Sequence, residues 1–152
     1  MIFKTFILVS LILFSGSIAG NAQDELPVEK NAVSFQLMGG TALAGFVYER
    51  AVTEHLSVEA GAGWISGMAG LKYFPFKMKT KKLLPSIGVQ ASASPLYSDC
   101  ELCFGGDGLL LYLPVGLSYF GQKGLNLGID GGYATVFEGG FLYGSLKIGK
   151  RF

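Results

Sequence analysis

Alternation with a period of two residues constrains this chain more than any other feature. In "LSVEAGAGW" (56–64) every second residue is apolar, and the residues between them are serine, glutamate or glycine. The segments "LLYLPVGLSYF" and "LNLGIDGGY" repeat the pattern, and no segment keeps a helical period for long. Because successive side chains of a β-strand point to opposite faces, this pattern predicts strands with one apolar face. The sequence therefore predicts an all-β protein.

The alternating runs predict eight strands, each of roughly the length that crosses a bilayer as a tilted strand. Short turn-like segments separate them, apart from one longer connection, "YSDCELCFGGDG". The predicted strands are 31–40, 42–50, 55–64, 68–76, 83–96, 109–120, 125–134 and 141–152. We therefore predict an eight-stranded antiparallel up-and-down transmembrane β-barrel over residues 31–152.

The chemistry of the two strand faces indicates which one points outward. A soluble barrel points bulky apolar residues inward and charges outward. Here one face is bulky and apolar, while the other is mostly small or polar, which suits a narrow interior. The chain is 50% hydrophobic and only 15% charged, against about 25% charged in average soluble domains. An apolar outer surface is favoured; a soluble periplasmic barrel that binds an apolar ligand is the alternative.

Six of the strand charges fall on the face predicted to be internal. They comprise three acids and three bases, and buried charges require partners. We predict that they form a charge network in the lumen, although they could instead face water on one side of an open sheet. The predicted network comprises Glu49, Glu59, Lys72, Asp130, Lys147 and Arg151.

The N-terminal residues resemble a secretory signal. Lys4 precedes an apolar stretch from Phe6 to Phe14, and Gly20 and Ala22 satisfy the small-x-small cleavage rule. This apolar stretch is shorter than a typical transmembrane helix. We predict a signal peptide over 1–22 and a short periplasmic leader over 23–30.

A net charge of +1 provides no electrostatic basis for a nucleic-acid partner.

The last strand carries a second export feature. Leu142, Leu146, Ile148 and Phe152 share one face of "FLYGSLKIGKRF". This ending resembles the C-terminal signal that the barrel-assembly machinery reads in bacterial outer-membrane barrels, with Leu146, Ile148 and Phe152 as its candidate residues. Lys150 departs from the pattern because it shares the apolar face, where it could snorkel to the headgroups.

The mature chain as a whole resembles small eight-stranded outer-membrane proteins of the outer-membrane protein A and X type. More narrowly, it is similar to the outer membrane protein β-barrel families common in Bacteroidota. The resemblance implies a bacterial outer-membrane location and contact with outer-membrane lipid. It carries over no catalytic residues. An even strand count places both ends of the chain in the periplasm.

Aromatic residues gather near the predicted strand ends, as in the girdles of membrane barrels. They are Tyr48, Trp64, Tyr73, Tyr97, Tyr119, Tyr133 and Phe152. The lysines of "KMKTKK" and "GQKG" fall in predicted periplasmic turns.

Cys100 and Cys103 form a C-x-x-C pair in the longest loop. In an exported protein two cysteines first suggest a disulfide, with free thiols or a redox or metal role as alternatives. A metal site needs about four ligands, and His55, the only histidine, lies at the opposite end of the predicted barrel. We predict neither a metal nor a cofactor.

The function predicted from these features is non-enzymatic: a structural role in the envelope, or a binding surface for an extracellular or envelope protein. The architecture is porin-like, but eight strands leave no wide channel. The enzymatic alternative is a lipid-modifying barrel, which requires a nucleophile, a base and an orienting group. His55 with Glu54 beside it offers only part of that set.

Overall fold

The computed structural model describes residues 28–41, 43–64, 66–93, 109–136 and 139–152, which form one closed barrel. Each strand pairs antiparallel with the next, and the last pairs with the first. The strands in this part of the chain are β1 (Asn31–Met38), β2 (Ala44–Ala51), β3 (Leu56–Gly63), β4 (Gly67–Tyr73), β5 (Lys82–Ala93), β6 (Leu109–Phe120), β7 (Leu125–Val136) and β8 (Gly139–Arg151). The predicted fold, an eight-stranded antiparallel up-and-down barrel, is confirmed.

Strand ends differ from the predicted bounds for local reasons. β1 ends at Met38 rather than at residue 40, because Met38 and Gly39 have φ of 63° and 66° and turn the chain. β4 ends at Tyr73 rather than at residue 76. Pro75 follows closely, and a proline has no N–H to donate to a neighbouring strand. β7 continues two residues beyond its predicted end, to Val136.

The two faces of each strand have the chemistry expected from the alternation. In β8, Ser145, Lys147 and Arg151 are buried, whereas Leu146 and Ile148 are 53% and 56% exposed on the outer wall. At the seam, Gln36 of β1 is the register partner of Lys147. Small and polar residues therefore fill the interior, and apolar residues form the outer wall.

Apolar clusters lie toward both ends of the interior. We call the end that holds Asn31 and Arg151 the lower end, and the end that holds Met38 and Ala44 the upper end. The lower cluster consists of Phe74, Met78, Leu84 and Phe120, with Val28 and Ala51 packed against it. The upper cluster consists of Leu110, Tyr112 and Ala134, with Tyr143 packed against it.

Helical structure in the described ranges is limited to two 3₁₀ turns, Gly39–Thr41 and Gln122–Gly124. No helix there is long and apolar enough to span a membrane. The predicted signal peptide (1–22), most of the leader (23–30) and both cysteines, Cys100 and Cys103, lie outside the described residues. The predictions made for them stay predictions.

Candidate functional site

The structure brings the six charges of the predicted lumen network together inside the barrel. β2, β3, β4 and β7 each contribute one, β8 contributes two, and none is more than 5% exposed. The period-two alternation carries each of them to the interior, because each lies on the small, polar face of its strand. We call this set the interior charge network: Glu49, Glu59, Lys72, Asp130, Lys147 and Arg151.

Lys147 is the centre of the larger group. Its Nζ donates to Glu49 Oε2 and to Glu59 Oε1, at 2.6 Å each. Arg151 donates from Nη2 to the other oxygen of Glu49, and its Nη1 donates to the Glu29 carbonyl oxygen at 3.1 Å. Two cations of β8 are thus joined to acids of β2 and β3. These contacts connect strands on both sides of the β1–β8 seam.

Arg151 also contacts the lower cluster. Its guanidinium carbon lies 4.4 Å from the centre of the Phe120 ring, within the range of a cation–π interaction. The charge network therefore packs directly against the apolar residues of the lower cluster.

The second group spans the interior. Lys72 Nζ of β4 lies 3.0 Å from each oxygen of Asp130 on β7, three strands away around the barrel. Ser145 Oγ donates to Asp130 Oδ2 at 3.4 Å. Gly116 leaves room for this carboxylate, since a Cβ there would overlap Asp130 Oδ1. Side chains from two distant strands therefore meet inside the lumen at this level.

A neutral side chain completes the larger group. Gln90 Nε2 of β5 donates to Glu59 Oε2 at 2.8 Å, so each oxygen of Glu59 accepts one hydrogen bond. Sequence reasoning did not single out Gln90, although its inward position in "IGVQASA" was visible. The larger group, which draws on β2, β3 and β8, is thereby linked to a fourth strand, β5.

We expect Gln90→Met to destabilise the folded barrel by about 1–2 kcal/mol, because one buried carboxylate oxygen loses its donor while the side-chain volume is roughly conserved. The free energy of unfolding from a urea titration measures the effect. Ser92→Ala is the matched control: Ser92 also points inward from β5, but its buried hydroxyl has no partner among the described residues. An equal loss in both variants would contradict the role of the Gln90 hydrogen bond.

His55 has structural contacts at the lower end. Its Nδ1 lies 2.9 Å from the Phe74 carbonyl oxygen; because a carbonyl only accepts, Nδ1 is the donor. The His55 ring stacks on Tyr73 with centres 6.4 Å apart. Glu54 pairs instead with Lys77, at 2.7 Å, and the hydrogen bond from Lys77 lowers the pKa of the Glu54 carboxyl.

Comparisons with known proteins identify no relative. None of the protein-family models, curated proteins or solved structures compared with the chain matches it.

The part of the chain that the structure describes holds no group of three or more His, Cys, Asp or Glu residues placed to bind a metal ion. The acids of the interior charge network take cationic side chains as partners. Chemically, this arrangement neutralises buried charges and cross-links distant strands.

The outer wall is the second notable surface. Among the described strand residues, its outward positions carry only two charged side chains, Arg50 and Lys150. Of the candidate assembly-signal residues, Leu146 and Ile148 lie on this wall, and Phe152 is 60% exposed just beyond β8. The remaining outward positions form an apolar belt that includes Val33, Phe35, Phe46, Leu71, Ile87, Leu113, Val115, Ile129, Leu142 and Leu146.

Proposed function

We propose that this chain is an integral outer-membrane β-barrel protein of the outer-membrane protein A and X type, with a non-enzymatic role in the envelope. That role is either structural or the binding of an extracellular or envelope protein. The observation that carries the proposal is the apolar belt. It surrounds a closed barrel whose described strands carry outward charges only at Arg50 and Lys150.

The physical reason is the cost of exposing such a belt to water. Soluble monomers rarely expose contiguous apolar patches larger than a few hundred Å², and each Å² of apolar surface in water costs about 25 cal/mol. Lipid removes this cost. A closed barrel also satisfies every ladder hydrogen bond internally, which the bilayer core requires.

The exposed aromatic residues agree with this assignment. Tyr48, Tyr73 and Phe152 project outward near the lower end, whereas Trp64 and Tyr133 project outward toward the upper end. Membrane barrels carry such girdles at both interfaces, where an amphipathic ring is favoured.

The lengths of the connections suggest the orientation. Bacterial barrels have short periplasmic turns and longer extracellular loops. The longest connection, 94–108, joins β5 to β6 at the upper end, whereas the turn at 121–124 is short. The lower end, which holds the first and last described residues, is therefore assigned to the periplasm and the upper end to the exterior. Partners in this assignment are outer-membrane lipid and, during biogenesis, the barrel-assembly machinery.

The contacts within the barrel favour a role without catalysis. His55 and Glu54 are engaged by different partners, the Phe74 carbonyl and Lys77. The Lys72–Asp130 pair crosses the lumen, which disfavours wide diffusion through it. The upper rim, with the loop that contains Cys100 and Cys103, is the proposed binding surface.

Gel mobility of protein from washed outer membranes tests the proposal. We expect the unboiled protein to migrate as a folded, detergent-resistant barrel and its band to shift on boiling. A protein that fractionates with the aqueous phase and shows no shift would contradict the proposal. A soluble periplasmic barrel that binds an apolar ligand would then be the better assignment.

A further inference from the structure

An apolar groove runs along the outer wall across β5, β6, β7, β8 and β1. It is an open depression of about 460 Å³, comparable in volume to ligand pockets of roughly 300–1,000 Å³. Almost all of its lining is apolar, and its lining side chains include Phe35, Leu117, Leu127, Ile129, Leu146 and Ile148.

A single cation lies just below this groove. Lys150 is two residues from Ile148 on β8 and points outward like it, which places it about 7 Å farther toward the lower end. Its neighbours on the same row are Leu125 of β7 and Val33 of β1. A phospholipid has the matching chemistry. Its acyl chain fits an apolar groove, and its phosphate pairs with an ammonium group beside that groove.

The wider charge distribution indicates an anionic headgroup. The other outward charge, Arg50, also lies at the lower end, opposite Asn31. The lysine-rich segment 77–82 and the turn lysine Lys123 lie at that end too. Two exposed acids, Glu29 and Glu54, also lie there, and Glu54 is paired with Lys77. Cationic residues near a membrane surface attract anionic lipids by about 1 kcal/mol each.

We propose that the groove and Lys150 form a binding site for one anionic phospholipid of the leaflet at the lower end, with an acyl chain in the groove and the phosphate on Lys150. The inference rests on the proposed membrane location. A second copy of the chain fits less well. Two barrels in one membrane lie at the same depth, so a symmetric contact here would bring two Lys150 ammonium groups toward each other.

The test uses the full mature chain, folded into vesicles of phosphatidylglycerol and phosphatidylcholine with identical acyl chains. After extraction into detergent, native mass spectrometry counts the lipids that stay bound. We expect one retained lipid, with phosphatidylglycerol preferred. Lys150→Gln should reduce that preference about fivefold. Lys150→Arg should preserve it, and Lys123→Gln, which removes a lower-end cation away from the groove, should reduce it by clearly less.

A larger side chain in the groove tests whether the groove holds the lipid. Leu146→Trp should abolish lipid retention, and Leu113→Trp, an outward change on β6 away from the groove lining, should leave retention intact. Equal retention of the two lipids would overturn the proposed lipid site, and so would equal effects of the two tryptophan substitutions. A dimer that retains no lipid would also overturn it. Failure of the chain to enter vesicles would instead refute the membrane location itself; insertion without lipid preference would refute only the lipid site.

Discussion

Glu49→Gln is expected to lower the free energy of unfolding by about 3–5 kcal/mol. The change removes the acid that Lys147 and Arg151 share. Lys147 keeps Glu59, at 2.6 Å, but Arg151 is left with a carbonyl oxygen and the Phe120 ring as partners. An incompletely compensated charge then remains in the interior.

Urea titration of the barrel in phospholipid vesicles measures this loss. Trp64, the only tryptophan, is 90% exposed on the folded barrel, and its fluorescence should respond to the transfer between water and the interface. Glu54→Gln is the matched control: it breaks an exposed ion pair with Lys77 and should cost no more than about 1 kcal/mol.

A second substitution tests the mechanism. Glu49→Gln combined with Arg151→Met removes the charge that the single change leaves unpaired, so we expect part of the lost stability to return. If the loss of unfolding free energy in the double variant equals the sum of the losses in the two single variants, the Glu49–Arg151 contact contributes little. The importance assigned to this pair would then be wrong.

The second large effect concerns the outer wall. Val115→Arg places a charge at the middle of β6, opposite Ile87 of β5, at a position that is 59% exposed. In a bilayer we expect a loss of about 2–4 kcal/mol, because the guanidinium lies near the midplane of the hydrocarbon. In a soluble barrel the same change would be a surface substitution, usually within about 0.5 kcal/mol.

The comparison is made with the same urea titration in vesicles. Leu125→Arg is the control, because Leu125 is the first residue of β7, beside Lys150 at the lower end. There the cost should fall to about 0–1 kcal/mol. A dependence on depth supports lipid around the belt, and equal small effects at both positions would argue for water around it.

Much of this barrel follows from local sequence. Period two assigns each residue to one wall face, because adjacent side chains of a strand point in opposite directions. The alternation was sufficient to predict eight strands near their observed bounds. It was also sufficient to put Glu49 and Lys147 on the same face as Ser145. The turn at Met38 and the early end of β4 were missed, since they depend on single backbone positions.

The alternation could not predict which charged residues pair with each other. Lys72 and Asp130 are 58 residues apart in sequence, and Lys147 and Glu49 are 98 apart. Equal numbers of acids and bases indicated that pairing was possible. Which acid meets which base depends on strand register around the closed sheet, and no local pattern encodes it.

By itself, then, the sequence determined the strand count, the alternating faces and the apolar outer wall, because these depend on side-chain order along one strand. Only the tertiary structure decided the pairing within the interior charge network, the lower cluster against Arg151, and the groove on the outer wall above Lys150. These features join residues of different strands. Closure of β8 on β1 sets their register, and that register determines which side chains meet.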